Sequence, residues 1–502
     1  MKITFIKPRI GRQEDSFYID EGRMEPLQLA VLAGMTPDEH EVTVFDDRFE
    51  EIDYDLKTDL VGITVETYTA RRAYEIATEY RKRGIPVVMG GMHVTLLPEE
   101  ASQYCDSIVT GDAGWIWAKV LEDFKEYKKL RKHYKSIVGA PQANEFAPDR
   151  SVYDSKKYLN VGLIQFGRGC KFACSFCAIS SYFKKQQFTR DLDKVLDELK
   201  TMKQHIIFFV DDNICADFEA LKELCRKLIP LKIRWVSQGS MDMSKDPELM
   251  ELLVKSGCMG NVIGFETINP NNAKQLRKAP NSFRKDFNKY DKEVEIIRNF
   301  GLQTWAAFTL GYDHDTLESI MDTVDYAIDK KFCFAAFNIL VPYPGTPMYK
   351  KLQEENRLLY DGKWWLHPEY RFNHCSFKPK QMTPDQLTEI SFKCKERWNS
   401  WSSIFKRYFD LKTHMRNPVK SLIYWKYNPV YSSENFNKQD MYFGLFNHRK
   451  ENEIIHKNQD LLLNPDLNNI NELTPIFKNH NFTTEDNIDQ TFEYDGPKTA
   501  SI

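Results

Sequence analysis

No stretch of the chain approaches the ~20 consecutive apolar residues that a membrane-spanning helix needs. The opening MKITFIKPRIG has only a short apolar run before Lys7 and Pro8, too little for a secretory leader, and reads as a first strand. A disulfide framework is also missing. Of the ten cysteines, seven stand singly, which points to a reducing cytoplasm. Excess charge of one sign is absent as well. With 69 Lys+Arg against 72 Asp+Glu the net charge is -3, which argues against nucleic acid as the main partner. Local basic runs such as KEYKKLRKHYK read as solvated helix faces. Aromatics, by contrast, are abundant: 33 Phe, 24 Tyr and 9 Trp predict large pockets or a greasy surface. At 502 residues the chain exceeds one ordinary core, so two or three domains are expected.

Residues 1–135 alternate short β-branched runs (KITFIKP, EVTVFDD, LVGITV, PVVMGG, SIVTG) with helical stretches such as TARRAYEIATEYRKRG, the pattern of a doubly wound, Rossmann-like parallel sheet. Ligands of such sheets lie beyond the strand carboxyl ends. Those ends carry Thr64, Val65 and Glu66, then Gly90, Gly91, His93 and Thr95, then Gly111. A polar, Pro-containing linker is expected over 136–158. From 159 to 345 the alternation restarts and counts to six strands (VGLIQF, IIFFVDDN, RWVSQGS, GNVIGFET, QTWAAFTLGY, CFAAFNILVPY). Six βα units are too few for a closed barrel and predict an open (β/α)6 one. Residues 346–450 are helical and aromatic-rich, read as a cap over the barrel in preference to an apolar contact surface. Residues 451–502 are Asn- and Asp-rich and read as a loosely ordered tail.

Three cysteines break the pattern of isolated thiols. Cys170, Cys174 and Cys177, spaced Cys-x3-Cys-x2-Cys, directly follow the first barrel strand. Three thiolates leave an iron-sulfur cluster one ligand short, so one iron keeps an open position for a substrate or cofactor. Structural zinc would want a fourth Cys or His in the loop, and none follows.

This spacing, with Phe176 just before the third cysteine, resembles the signature of the radical S-adenosylmethionine superfamily. The resemblance implies a [4Fe-4S] cluster whose unique iron binds S-adenosylmethionine, an external electron donor, and cleavage to a 5′-deoxyadenosyl radical. It places Asp211, Asp212 and Asn213 near the methionine amino group, Ser237 and Gln238 near ribose or methionine, and Glu266 as the acidic contact. Gly311 and Asn338, at the fifth and sixth strand ends, fall near adenine. Asp212 and Asp217 read equally well as helix N-caps.

Over about residues 1–400 the chain looks like the subgroup with an N-terminal cobalamin-binding domain. There the corrin lies between the two domains, against Thr64, Val65, Glu66, Gly90, Gly91, Thr95 and Gly111, and its nucleotide tail lies by the loop holding His93. The Asp-x-His-x-x-Gly loop that supplies a cobalt-ligating histidine elsewhere is absent, and His93 reads as loop structure or a tail contact.

The implied function is methylation of an unactivated carbon in a small-molecule or lipid-like substrate. The alternative is rearrangement, cyclisation or carbon-carbon coupling with cobalamin absent or in another role. A passive cluster carrier is the reading from outside enzymes, and the polar groups at successive strand ends argue against it. Tyr312, Tyr343 and Trp364 are candidate substrate-facing aromatics, each explained equally by packing. Cys375 and Cys394 with His367 and His374 form a weaker candidate for a second metal. A membrane contact is possible but not indicated.

Overall fold

A computed structural model describes residues 1–13, 23–139, 147–276, 288–444 and 491–494. The N-terminal runs form parallel strands β1 (Lys2–Lys7), β2 (Glu41–Asp46), β3 (Leu60–Thr64), β4 (Val87–Gly90), β5 (Ser107–Thr110) and β6 (His133–Lys135). Within that sheet β1 sits between β2 and β3, with Ile3 opposite Val42 on one side and Leu60 on the other. Successive residues supply two cores, because side chains alternate across a strand. Ile3, Phe5, Val88 and Val109 pack with the helices Leu27–Gly34 and Trp117–Tyr127. Ile6, Ile63, Met89 and Ile108 pack on the other face with helix Ala70–Lys82. Both faces are covered, as a parallel sheet requires.

The second sheet runs in chain order, β7 (Gly162–Ile164), β8 (Ile206–Phe209), β9 (Arg234–Gly239), β10 (Cys258–Glu266), β11 (Gln303–Leu310) and β12 (Phe334–Ile339), all parallel and open between β12 and β7. This is the expected partial barrel. Its helices start where acidic or hydroxyl side chains satisfy free N–H groups: Asp191 accepts from Asp193 and Lys194, Asp217 from Glu219 and Ala220, and Asp246 from Leu249. Trp235, Ser237, Phe265, Phe308 and Phe337 are buried on the helix-facing side. Gln238 and Asn338 occupy alternate positions and are exposed, facing the lumen near its mouth.

The C-terminal region divides its aromatics between two places. Trp364, Trp365, Tyr370 and Phe443 join the second core of the N-terminal sheet. Trp364 is wholly buried there as a packing residue and not a free substrate-facing ring, whereas Tyr312 is almost buried in the barrel core with one edge on a cavity that reaches Cys174 and Asp313. The helices Trp401–Tyr408 and Pro418–Asn437 lie at the amino ends of the barrel strands, where Lys420 and His414 bond the carbonyls of Gly301 and Lys331. They form a floor where a cap over the mouth was expected, because their buried polar groups satisfy the carbonyls preceding β11 and β12.

Most of the tail expected to be loose lies outside the described residues, but β13 (Thr491–Glu493) is a strand. It pairs in parallel with β6 and closes the edge of the N-terminal sheet. Tyr494 stacks on Trp115 with ring centroids 5.7 Å apart.

Arg407 is the keystone of the floor. Wholly buried, it stacks 3.7 Å from the Trp398 ring centroid and donates to the carbonyls of Phe332 (3.2 Å), Cys333 (3.1 Å) and Trp398 (3.3 Å). Burial pulls its guanidinium down to about 10. Arg407→Ala leaves the buried carbonyls of Phe332 and Trp398 without this donor, that of Cys333 keeping Asn428, and should destabilise the barrel by about 2–4 kcal/mol, read as a lower urea midpoint by far-ultraviolet circular dichroism.

Candidate active site between the two sheets

The loop after β7 is braced before any ligand is considered. Asp211, at the end of β8, accepts from the N–H groups of Phe166 (2.9 Å) and Gly167 (2.6 Å), and Asp212 accepts from Gly169 (2.7 Å). Ser180 donates to the Phe172 carbonyl at 2.6 Å, and Cys177 N–H to the Cys174 carbonyl at 3.2 Å. Cys174 is buried and Cys170 and Cys177 are half-buried, all as free thiols. Burial pushes the Cys177 thiol up. Among the described residues no three His, Cys, Asp or Glu side chains converge on a point fit for one metal ion. The candidate set Cys375, Cys394, His367 and His374 is therefore not gathered into one site. Three reduced sulfurs spread along one loop at a barrel mouth suit a cluster of several irons.

The strand-end residues separate into two groups. Asp211 is almost fully buried with both oxygens engaged by the loop, and burial pushes it up to about 8. Ser237 is fully buried and donates to the Phe209 carbonyl at 2.8 Å. These two hold backbone and are not free for a cofactor, which corrects the expectation for them. The reason is that β8 and β9 turn them toward the helix side. Asn213 stays near the sulfurs, its amide donating to Cys170 Sγ at 3.8 Å.

Glu266 sits beside a register shift between β10 and β11 with φ of 64°, a left-handed conformation that costs a non-glycine residue about 1–2 kcal/mol. Thr309 donates to its carboxylate at 2.8 Å and is paired in register with Asn338. Glu266, Thr309, Gln238 and Asn338 therefore line one mouth. Thr309 was not singled out from sequence. The cue was the inward parity of QTWAAFTL, in which Thr309 alternates with buried Phe308 and Leu310. Gly311 has φ of 99°, and its N–H is held by Asp315 at 2.9 Å.

On the facing sheet a cleft of about 360 Å³ opens between the domains. Its rim includes Thr64, Gly90, Gly91 and Gly111, and its depth the apolar Phe5, Leu32, Val88, Val109 and Trp117. A Cβ on Gly91 would lie 2.7 Å from the Val65 carbonyl oxygen, and one on Gly111 2.3 Å from that of Ser136, so both loops need glycine. The barrel closes the cleft with Gln165, Arg168 and Tyr182. Arg168 reaches across to Asp112 at 2.5 Å and lies 5.0 Å from the Phe183 ring. Burial pushes Asp112 up, and Arg168 opposes that. An apolar slot with a glycine rim and a few polar groups is a fit place for a large planar cofactor with an apolar tail.

The other residues expected at the corrin stand elsewhere. His93 is completely buried, with Nδ1 3.2 Å from Thr67 Oγ1 and Nε2 within 3.1 and 3.2 Å of Tyr74 and Glu100. It is a core residue tying the sheet to Trp365, whose indole donates to the same Glu100, and not a cofactor contact. Val65 is buried. Glu66 pairs with Lys7 at 2.6 Å beside a separate small cavity. Thr95 stitches the rim, donating to Gly91 and accepting from Gly111.

A third cavity, about 950 Å³, runs from Cys174 and Ser175 past Tyr312 to Asp313. Lys351 (3.0 Å), Arg357 (2.9 Å) and Lys380 (3.2 Å) surround Asp313. Burial alone would push its carboxyl up, but the three cations outweigh that and hold it at about 2.

Residues 164–327 match the Radical SAM superfamily, and residues 20–116 match the B12 binding domain. The chain is 29% identical to bacteriochlorophyllide d C-12(1)-methyltransferase of Chlorobaculum tepidum over 79% of this chain and 87% of that one. It is 23% identical to hopanoid C-2 methylase of Rhodopseudomonas palustris over 77% and 73%. Among solved structures, the radical S-adenosylmethionine methyltransferase TsrM from Kitasatospora setae shares the fold with a TM-score of 0.57 at 19% identity, over 70% of this chain and 76% of that one.

Two outcomes test the geometry. Gly91→Ala forces a side chain into a backbone region that costs about 1–3 kcal/mol, and hydroxocobalamin retained after gel filtration should fall about tenfold or more. The low value for Asp313 means that its ion cluster stabilises the fold above its ordinary carboxylate range and loses that contribution as pH falls through about 2. Thermal midpoints of wild type and Asp313→Asn should therefore differ most near neutrality and converge between about pH 4 and pH 2.

Proposed function

From a chain that joins a B12-binding domain to a radical S-adenosylmethionine domain, and so belongs with that superfamily, we propose an enzyme that methylates an unactivated carbon of a small-molecule or lipid-like substrate. The observation carrying this reading is the shared wall. Arg168, two residues before Cys170, lines the same cleft as Gly90, Gly91 and Gly111, so a corrin held there would face the cluster loop directly. A reduced [4Fe-4S] cluster with S-adenosylmethionine supplies radical chemistry, and cobalamin supplies a transferable methyl group.

The protein's own part is placement. Cys170, Cys174 and Cys177 hold the cluster while Asp211 and Asp212 fix their loop. Asn213, Glu266, Gln238 and Asn338 receive the polar ends of S-adenosylmethionine at the mouth, Glu266 being pre-oriented by Thr309. The apolar slot behind Gly90 and Gly91 takes the nucleotide tail of the corrin. Phe5, Val88 and Trp117 exclude water from it. No histidine among residues 1–13 is available to cobalt, and the strand end there carries Lys7 paired with Glu66. The similarity to a bacteriochlorophyllide methyltransferase and a hopanoid methylase supports methylation over rearrangement without cobalamin. All ten cysteines are free, and thiolate ligands need reducing surroundings. We place the protein in the cytoplasm, served by an external electron donor. No helix among the described residues is long and apolar enough to cross a membrane.

Anaerobic reconstitution with iron, sulfide and hydroxocobalamin tests the reading. Wild type should bind four irons and one corrin and release 5′-deoxyadenosine from S-adenosylmethionine on reduction. Cys174→Ala should lose the cluster's visible absorption and all cleavage while keeping the corrin. Cleavage retained by that variant would sink the assignment, and cleavage by a wild type that binds no corrin would replace methyl transfer with rearrangement or coupling.

A further inference from the structure

The barrel floor carries a feature the catalytic reading does not use. Six of the large apolar side chains that stand in solvent fall within 22 residues: Trp401, Phe405, Phe409, Leu411, Met415 and Leu422, with Leu411 78% and Trp401 61% exposed. Their rings form a continuous run. Centroids lie 6.3 Å apart for Trp401 and Phe405, 5.2 Å for Phe405 and Trp425, 4.8 Å for Trp425 and Tyr408, and 5.7 Å for Tyr408 and Phe409. Trp401, Phe405 and Leu422 stand on the two helices and Phe409, Leu411 and Met415 on their connection, while the helices bury their other side through Ile404, Arg407, Tyr424 and Asn428. A helix apolar on its packed side is ordinary; one that is apolar on its outer side as well has a second surface to satisfy.

The charge along this face decides what covers it. Between residues 401 and 426 the exposed charged side chains are Lys406, Lys412, Arg416 and Lys426, all basic. The single acid in that span, Asp410, is buried against Arg298. Lys406 pairs with exposed Asp329 and Lys412 with Glu295 from the neighbouring helices, and exposed pairs of this kind contribute little and exchange readily for other anions. Protein-protein interfaces are depleted in lysine at their cores, whereas bulky apolar groups interleaved with long cationic side chains are what an interface with anionic lipid headgroups takes.

We propose that the floor from Trp401 to Lys426 is a peripheral docking face for an anionic bilayer surface. Trp401, Phe405, Phe409, Leu411 and Leu422 enter the headgroup boundary, and Lys412, Arg416 and Lys426 meet lipid phosphates. The face lies at the amino ends of the barrel strands, so a docked molecule keeps the mouth and the interdomain cleft turned away from the bilayer.

The test is co-sedimentation of the full chain with extruded vesicles, run without S-adenosylmethionine or reductant, so its failure leaves the methyl-transfer reading untouched. Wild type should pellet with phosphatidylcholine vesicles containing phosphatidylglycerol and much less with phosphatidylcholine alone. The partition coefficient should fall about tenfold or more in Phe405→Ser/Phe409→Ser, and about fivefold for each charge removed in Arg416→Gln and Lys426→Gln. Leu411→Ser, at the most exposed position, serves as a second apolar variant should the double variant melt early by circular dichroism. Wild type left in the supernatant with both vesicles would overturn the proposal, as would equal pelleting of wild type and variants. A wild-type dimer that Phe405→Ser/Phe409→Ser converts to monomer, with no vesicle binding, would assign the face to a second copy of the chain.

Discussion

The constraint that sets the two faces of the cleft against each other is a half-buried ion pair across it, Arg168 with Asp112 at 2.5 Å. Arg168 belongs to the strand-like turn leading into Cys170, and Asp112 to the loop after β5 that also carries Gly111. Two parallel sheets each offer their carboxyl ends as a binding face. Nothing in either sheet alone requires those ends to oppose each other. The pair does so, together with a second bridge in which Arg150 of the linker joins Glu25 (2.9 Å) to Glu198 (2.7 Å). Asp112 is itself buried, so losing Arg168 would leave a buried carboxylate unpaired and cost more than forming the pair returns; such pairs fix geometry better than they add stability. A cleft whose walls must stay at a set spacing needs that property.

The strands and most of the helices were legible in the sequence because they follow from local rules. All six barrel strands stand where β-branched runs end in turn residues, and Asp217 caps its helix as its alternative reading allowed. The cluster loop was legible because three thiols in eight positions are rare in a chain whose other cysteines stand singly. What remained hidden was direction. Asp211 and Ser237 lie at strand ends, but parity turns them onto backbone, while Gln238 and Asn338 on neighbouring positions face the lumen. His93 looked like a loop histidine in GGMH, and only the fold brings Tyr74, Glu100 and Trp365 around it. Arg168 was invisible for the same reason: its partner is 56 residues away in sequence.

The tail and the C-terminal helices show how composition can point to the right quantity and the wrong place. A polar, Asn-rich tail predicts loose chain, yet β13 needs only Thr491, Phe492 and Glu493 to complete a sheet edge that would otherwise be open. Three residues are too few for any periodicity to reveal.

The aromatic excess is the clearest instance. Large pockets or a greasy surface, with the C-terminal share in a cap over the barrel, was the reading from composition, but the rings serve three separate purposes. Trp364, Trp365 and Tyr370 lock the C-terminal segment onto the N-terminal sheet, so the two faces of the cleft are joined behind it as well as across it. Tyr431 packs 5.1 Å from Trp305 and 6.1 Å from Phe334, both lumen-facing near the amino ends of their strands, and so plugs the barrel from below. With the lower end plugged, an open six-stranded barrel can be reached only from its mouth or its open edge. Burying the rings of the first two groups repays the ordering of the segments that carry them, at about 1.5–3 kcal/mol for each large apolar side chain. Among the described residues the exposed run from Trp401 to Leu422 has no such return, and an external surface is where the proposed docking lets its apolar area leave water.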